Sequence, residues 1–205
     1  MTDRIKDFLA RNREDGPRLV VDLDVVRENY RAFSQALPDS RVFYAVKANP
    51  APELLALLAS LGSCFDTASV AEIEMVLAAG ATPERISFGN TIKKERDIAR
   101  AYKFGIRLFA VDCEAEVEKI ARAAPGSRVF CRILSDCVGA EWPLSRKFGC
   151  EPAMAADVMY EREPYALPIS LEIGDKVLIE GTGAYTATYS SVAFNGFSPL
   201  KTYHI

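Results

Sequence analysis

Short apolar runs rich in β-branched and aromatic residues begin near Val42, Cys64, Ile86, Leu108 and Val129, about 22 residues apart each time. Between them lie good helix formers at helical spacing, over 52–61, 70–79, 93–104 and 114–124. Pro52 suits a first helical turn, where a missing N–H costs little. Gly62, Gly80 and Gly105 fall just past helix ends, where a left-handed residue stops the helix. Strand–helix–strand alternation at this spacing gives right-handed βα units and a parallel sheet. The runs 42–46 and 129–134 are apolar almost throughout, as expected of strands covered on both faces. A closed (β/α)8 barrel takes typically about 250 residues. Only about five units are present, ending near Leu134, too few to close.

After Pro152 the character changes. Residues 169–179 alternate, break at Gly174-Asp175 and resume, and 185–194 lead into an Asn195-Gly196 turn. This predicts an antiparallel β module. Residues 18–23 read as a further strand of that module, behind a charged stretch expected to form an exposed helix. The predicted fold class is therefore α/β plus all-β: a truncated (β/α)8-type barrel with an antiparallel β module built from the N-terminal strand and the C-terminal segment. The expected division is 1–38 for the N-terminal helix and strand, 39–157 for the partial barrel and 158–205 for the C-terminal β module. Near 155–159 a helix start runs straight into β-module sequence, without the crossover that the barrel pattern predicts.

With 49% hydrophobic residues in 205, the chain can bury a core. Its net charge is −3, and the lysines and arginines are scattered, which argues against a nucleic-acid face. No apolar run is long enough for a membrane span, and residues 1–7 hold no apolar signal core, so a cytoplasmic protein is expected. The five cysteines, Cys64, Cys113, Cys131, Cys137 and Cys150, include no Cys-x-x-Cys pair. They read as reduced thiols, with neither a zinc site nor a disulfide framework.

Lys47 stands at the C-terminal end of the first barrel-type strand, in Tyr44-Ala45-Val46-Lys47-Ala48-Asn49-Pro50. That end of a parallel barrel is the rim that bears sites. A lysine in an apolar strand end is costly unless it is neutral, paired or covalently modified. On these grounds a catalytic amine and a salt-bridged lysine both remain open. Asp66 reads equally as a turn residue, Arg132 as an ion-pair partner and Tyr185 as strand packing. Gly181 and Gly183, with no helix after them, make no phosphate cradle.

Several separated segments carry a resemblance. They are Tyr44 to Pro50; Cys64-Phe65-Asp66-Thr67-Ala68-Ser69 with Glu72; Ser87-Phe88-Gly89-Asn90 with Lys93; Cys131-Arg132-Ile133; and Ser145-Arg146-Lys147-Phe148-Gly149. In this order the chain resembles the barrel-type pyridoxal-phosphate enzymes, which include alanine racemases and the diaminopimelate, ornithine and arginine decarboxylases. Lys-Ala-Asn-Pro without a following Tyr-Gly-His favours a decarboxylase. Gly181-Thr182-Gly183-Ala184-Tyr185-Thr186 and Phe194-Asn195-Gly196-Phe197 look like the ornithine branch.

The resemblance implies pyridoxal 5'-phosphate as cofactor. Lys47 would condense with its aldehyde, burial favouring the reactive neutral amine. Asp66 would help control protonation near the lysine, Arg132 would organise the cofactor site, and the Tyr185 hydroxyl would bond the phosphate. Glu72 and Lys147 match residues that support the site and the subunit interface. The implied activity is decarboxylation of L-ornithine, with lysine as the other candidate, to putrescine in polyamine biosynthesis by a homodimer. The alternative is a catalytically impaired fragment that acts as a dimerisation or regulatory partner of a full-length decarboxylase.

The departure lies after Cys150-Glu151-Pro152, where 157–161 resumes with sequence that belongs far downstream in the family. The stretch between should hold the ring-stacking histidine, the phosphate-binding Gly-rich loop, the glutamate that pairs the pyridinium nitrogen and the cysteine-aspartate loop lent to the partner subunit. His204 is the only histidine and reads as a surface residue of the C-terminal tail. A part-barrel exposes sheet edges and apolar helix faces, which predicts poor solubility or obligate association.

Overall fold

The computed structural model describes residues 1–13, 16, 18–134, 148–160 and 201–204. In chain order the elements are α1 (Asp3–Arg11), β1 (Arg18–Val21), α2 (Leu23–Ala36), β2 (Phe43–Ala45), α3 (Pro52–Ser60), β3 (Cys64–Thr67) and α4 (Val70–Ala78). There follow β4 (Ile86–Phe88), α5 (Glu95–Lys103), β5 (Leu108–Val111), α6 (Glu114–Ala123), β6 (Arg128–Cys131), α7 (Pro152–Tyr160) and β7 (Lys201–His204). Five strands form one sheet in the order β2-β3-β4-β5-β6, as the repeating βα spacing predicts. The chain forms two compact units. One contains Met1–Phe65, Glu74–Ala81 and β7; the other contains Asp66–Ile73 and the chain from Thr82 through α7.

In the first unit, Asp22 organises the N-terminal end. It is buried and caps α2 by accepting from the Asp24 N–H at 3.1 Å, and it accepts from Thr2 Oγ1 at 2.6 Å. Thr2 in turn caps α1, accepting from the Ile5 N–H at 3.3 Å. The charged N-terminal stretch is thus a helix with no buried residue, as expected. β1 pairs with β7, so the N-terminal strand and the C-terminal segment do meet, but the pairing is parallel, from Arg18↔Lys201 to Val21↔His204. An antiparallel module was expected. Parallel pairing needs a long crossover, which the chain between β1 and β7 supplies. The proposed strands over 169–179 and 185–194 lie outside the described residues.

In the second unit β4, β5 and β6 run parallel, with Phe88 beside Phe109 and Leu108–Val111 in register with Arg128–Cys131. Ile86, Phe88, Ile98, Ile106, Phe109 and Val111 form its dry interior. α5 presents Ile98 and Ala101 inward, and α6 presents Ile120. Gly62, Gly80 and Gly105 end their helices at φ 89°, 94° and 92°, the left-handed conformation the sequence predicts.

The apolar runs 42–46 and 129–134 were expected to be covered on both faces. β2 is half-buried throughout, and β6 is exposed at Arg128 and half-buried beyond it. These are the two outer strands of the sheet, whereas β4 is fully buried. An apolar run records the environment a strand was selected for, and an outer strand lacks a neighbour to supply it. β6 also ends earlier than expected, at Cys131. Only Ile133 continues the pattern, bridging Cys150 in parallel.

Candidate functional site

Lys47 sits in a single 3-10 turn, Val46–Ala48, directly after β2. Its neighbours Val46 and Ala48 are buried, at 0% and 6% exposure, so the turn is anchored on both sides of the lysine. Tyr44 Oη donates to the Asn49 carbonyl at 3.2 Å, and Asn49 Oδ1 accepts from the Ala51 N–H at 3.1 Å. Burial pushes the Tyr44 phenol up to about 12, so it stays protonated and donating at any physiological pH. The Tyr-Ala-Val-Lys-Ala-Asn-Pro segment is thus a pinned platform, and Tyr44 and Asn49 are its pins. Lys47 itself is exposed. The resemblance implies a buried, neutral lysine, whereas the residues alone left a salt-bridged one open. The correction follows from the 3-10 turn, which directs its flanking residues inward and leaves the middle side chain facing out.

In the second unit Asp66 is half-buried on β3, and Ser87 Oγ donates to its Oδ1 at 2.7 Å. The Thr67 hydroxyl donates to the Ser87 carbonyl at 2.7 Å, and the Gly89 N–H donates to the Thr67 carbonyl at 2.8 Å. The carboxylate rests directly against the Cα of Gly89, where an added Cβ would overlap Oδ1 and Oδ2 outright. Sequence reasoning named Asp66 but missed Ser87 and Gly89, which hold it. The signal was the Ser-Phe-Gly-Asn segment lying one strand along. Glu72 shapes the turn that follows: its Oε2 accepts from the Ala68 N–H at 2.6 Å and its own N–H donates to Ser69 Oγ at 3.3 Å. This capping arrangement fixes 67–69 at the head of α4.

Arg132 follows β6. Its N–H donates to the Val111 carbonyl at 2.8 Å, and its carbonyl accepts from the Cys150 N–H at 3.0 Å. Its guanidinium lies 5.4 Å above the Phe148 ring. Tyr185 and Lys147 lie outside the described residues. Of the proposed cofactor residues, therefore, Lys47, Asp66 and Arg132 are each seen at the C-terminal end of a strand.

Lys93 is the largest surprise. Its side chain is 0% exposed, and Nζ donates to the carbonyls of Ala110 at 2.6 Å and Asn90 at 2.8 Å. Glu116, itself 3% exposed on α6, places Oε2 3.1 Å from the ammonium and accepts from the Lys93 N–H through Oε1 at 3.3 Å. Lys119 contacts the same carboxylate and donates to the Lys93 carbonyl at 2.7 Å. Burial draws the Lys93 ammonium below the usual lysine range, opposed by Glu116. This knot stitches the β4–α5 loop to the end of β5.

By chemistry, a primary amine suits an aldehyde and a guanidinium suits a phosphate ester; Lys47 belongs to the first unit, and Asp66 and Arg132 belong to the second. Comparison with known proteins agrees. Residues 23–165 match the pyridoxal-dependent decarboxylase pyridoxal-binding domain. A lysine/ornithine decarboxylase of Selenomonas ruminantium is 38% identical over 172 residues, 82% of this chain and 43% of its own. A chloroplastic ornithine decarboxylase of Nicotiana glauca is 39% identical over 175 residues, 82% of this chain and 40% of its own. Antizyme inhibitor 2 of Xenopus laevis is 43% identical over 150 residues, 73% of this chain and 33% of its own. Among solved structures, the arginine decarboxylase of Paramecium bursaria Chlorella virus bound to agmatine superposes with a TM-score of 0.72 at 26% identity, covering 78% of this chain and 43% of that one. The Selenomonas ruminantium lysine decarboxylase superposes with a TM-score of 0.67 at 38% identity, covering 78% and 42%. The chain spans about two-fifths of the length of these curated decarboxylases. With the family match covering most of its length and relatives of this similarity, the chain belongs to the pyridoxal-dependent decarboxylases and carries sequence of their pyridoxal-binding domain.

Proposed function

We propose that this chain serves the decarboxylation of a small basic amino acid, L-ornithine or lysine, to its diamine, with pyridoxal 5'-phosphate held through Lys47, Asp66, Arg132 and Tyr185. The observation that carries the reading is the exposed Lys47 amine on a turn whose backbone is fixed by Tyr44 and Asn49. Lys47 presents the nucleophile. Asp66, its Oδ1 engaged by Ser87 and its carboxylate set against Gly89, would help control protonation near the amine. Arg132, seated over Phe148, would help organise the cofactor site with a fixed positive charge. When bound, the cofactor supplies the electron sink that loss of carbon dioxide requires. The proposal includes the division at 1–38, 39–157 and 158–205, assembly as a homodimer, and a cytosolic setting. Among the described residues, no helix is long and apolar enough to cross a membrane.

The test is reductive trapping. The chain is incubated with pyridoxal 5'-phosphate, reduced with borohydride, digested and mapped by mass spectrometry. The expected result is a pyridoxyl adduct concentrated on the Lys47 peptide and abolished by Lys47→Ala. Label spread evenly over the surface lysines would refute the reading.

A second reading is that the chain works as a partner of a full-length decarboxylase. Its support is the relative named antizyme inhibitor 2. The measurement is hetero-association with an intact homologue by analytical ultracentrifugation. Finding only monomer or aggregate removes this reading.

A further inference from the structure

The structure brings two cysteines together that the sequence left apart. Cys131 Sγ and Cys150 Sγ lie 3.4 Å from each other. Both thiols also point at one acceptor, the Arg132 carbonyl, at 3.7 Å and 3.5 Å. Their approach is set by backbone. The Cys150 N–H donates to the Arg132 carbonyl at 3.0 Å and the Leu134 N–H donates to the Cys150 carbonyl at 2.9 Å, which places Cys150 beside Ile133 in parallel register. Cys131 is two residues before Ile133 and shares its face of the sheet, because side chains alternate with period two.

The segment that delivers Cys150 is built to close on β6. Gly149 has φ 105°, and a Cβ there would stand 2.8 Å from the Ile133 carbonyl carbon, so no other residue fits without a shift. The Gly149 N–H donates to Asp112 Oδ2 at 3.2 Å, anchoring the return to the end of β5. Phe148, the residue before, carries the Arg132 guanidinium. The approach of the thiols is therefore a product of the fold's connections. A disulfide bond length of about 2.05 Å is reached by a further closure of about 1.4 Å.

We propose that Cys131 and Cys150 are a reversible disulfide-forming pair, oxidised by a low-molecular-weight disulfide, that fastens the 148–150 return to β6 around Arg132. Cys131 is half-buried and Cys150 only 4% exposed, so Cys131 meets the oxidant first. The Cys131 thiol, which burial pushes up to about 12, gives its proton to solvent, attacks one sulfur of the small disulfide and expels one thiolate, giving a mixed disulfide. Cys150 then loses its proton, attacks Cys131 Sγ and expels the second thiolate. Two protein thiols give up two electrons and two protons, and one small disulfide becomes two thiols. This goes beyond the expectation of reduced thiols without a disulfide framework, and it stands apart from the cofactor reading.

The experiment uses the full chain and glutathione disulfide, followed by blocking of remaining thiols and peptide mapping. The expected product is a Cys131–Cys150 cross-link, with two thiols lost per chain and both restored by dithiothreitol. In Cys150→Ser the reaction should stop at a glutathione adduct on Cys131, with no cross-link. Hydrogen exchange of the Gly149 and Cys150 amides should slow at least threefold on oxidation of the wild-type chain. A lasting glutathione adduct on wild-type Cys131, a cross-link mainly to Cys113 or Cys137, or no reaction at all would each overturn the proposal.

Discussion

Replacing Glu116 with glutamine removes a charge while keeping shape and an acceptor oxygen, and so tests what the Lys93 knot contributes. Lys93 and Glu116 are 0% and 3% exposed, which puts the pair in the regime where losing one partner costs about 3–5 kcal/mol. The ammonium keeps the Ala110 and Asn90 carbonyls, so the lower end of that range applies, about 3 kcal/mol. A ceiling exists because the lysine can shed its proton, which at pH 7 costs about 4–5 kcal/mol from an ordinary lysine. Lys119, partly exposed, can turn to water. The direction with pH follows from linkage. The folded-state pKa of Lys93 lies below the unfolded value, so between the two the unfolded chain holds more protons and stability rises with pH. Glu116→Gln lowers the folded value further. Its deficit is therefore full below the variant's folded value, shrinks between the two folded values and is lost above the wild type's, which lies short of about 10.4. Urea unfolding followed by circular dichroism at pH 7 and pH 10.5 measures both quantities. The double variant Lys93→Met/Glu116→Gln should recover at least half of the loss. A Glu116→Gln deficit under about 0.5 kcal/mol at pH 7, or one unchanged at pH 10.5, would refute the account.

Three further substitutions probe the pieces around the proposed site. Gly89→Ala should cost about 1–3 kcal/mol in urea unfolding by displacing the Asp66 carboxylate, and adding Asp66→Ala should restore most of it. Tyr44→Phe leaves the Asn49 carbonyl without its phenol donor; about 0.5–1.5 kcal/mol of stability and part of the selectivity of borohydride trapping at Lys47 should go with it. Ser69→Ala removes the acceptor for the Glu72 N–H and should lower stability by about 1 kcal/mol, with increased amide exchange in the first turn of α4.

The βα repeat was legible because apolar periodicity and helix-ending glycines are local signals, and strands β2 to β6 begin within a residue or so of the predicted positions. What escaped the sequence depends on partners distant along the chain. Lys93 was read as the first residue of a helix, but its side chain turns into the interior to meet three carbonyls and a glutamate, and α5 begins only at Glu95. Nothing within the local segment announces a glutamate some twenty residues later. Lys47 was correctly placed at a strand end but expected to be buried, since composition does not reveal that Val46 and Ala48 take the inward positions of a 3-10 turn. The Cys131–Cys150 approach rests on a bridge between β6 and a returning segment, which no spacing rule predicts. Asp66 and Arg132 were found through the family likeness; their holders, Ser87, Gly89 and Phe148, needed coordinates.

The turn at 46–48 has a thermodynamic corollary. Its backbone is already ordered by the Tyr44 and Asn49 hydrogen bonds, so a ligand joined to Lys47 would have to immobilise only the lysine's own side-chain torsions. Preorganisation of this kind spares affinity the entropy of arranging a loop. It also means that a loosened turn would show itself first in how tightly an aldehyde is retained, before any change in the rest of the sheet.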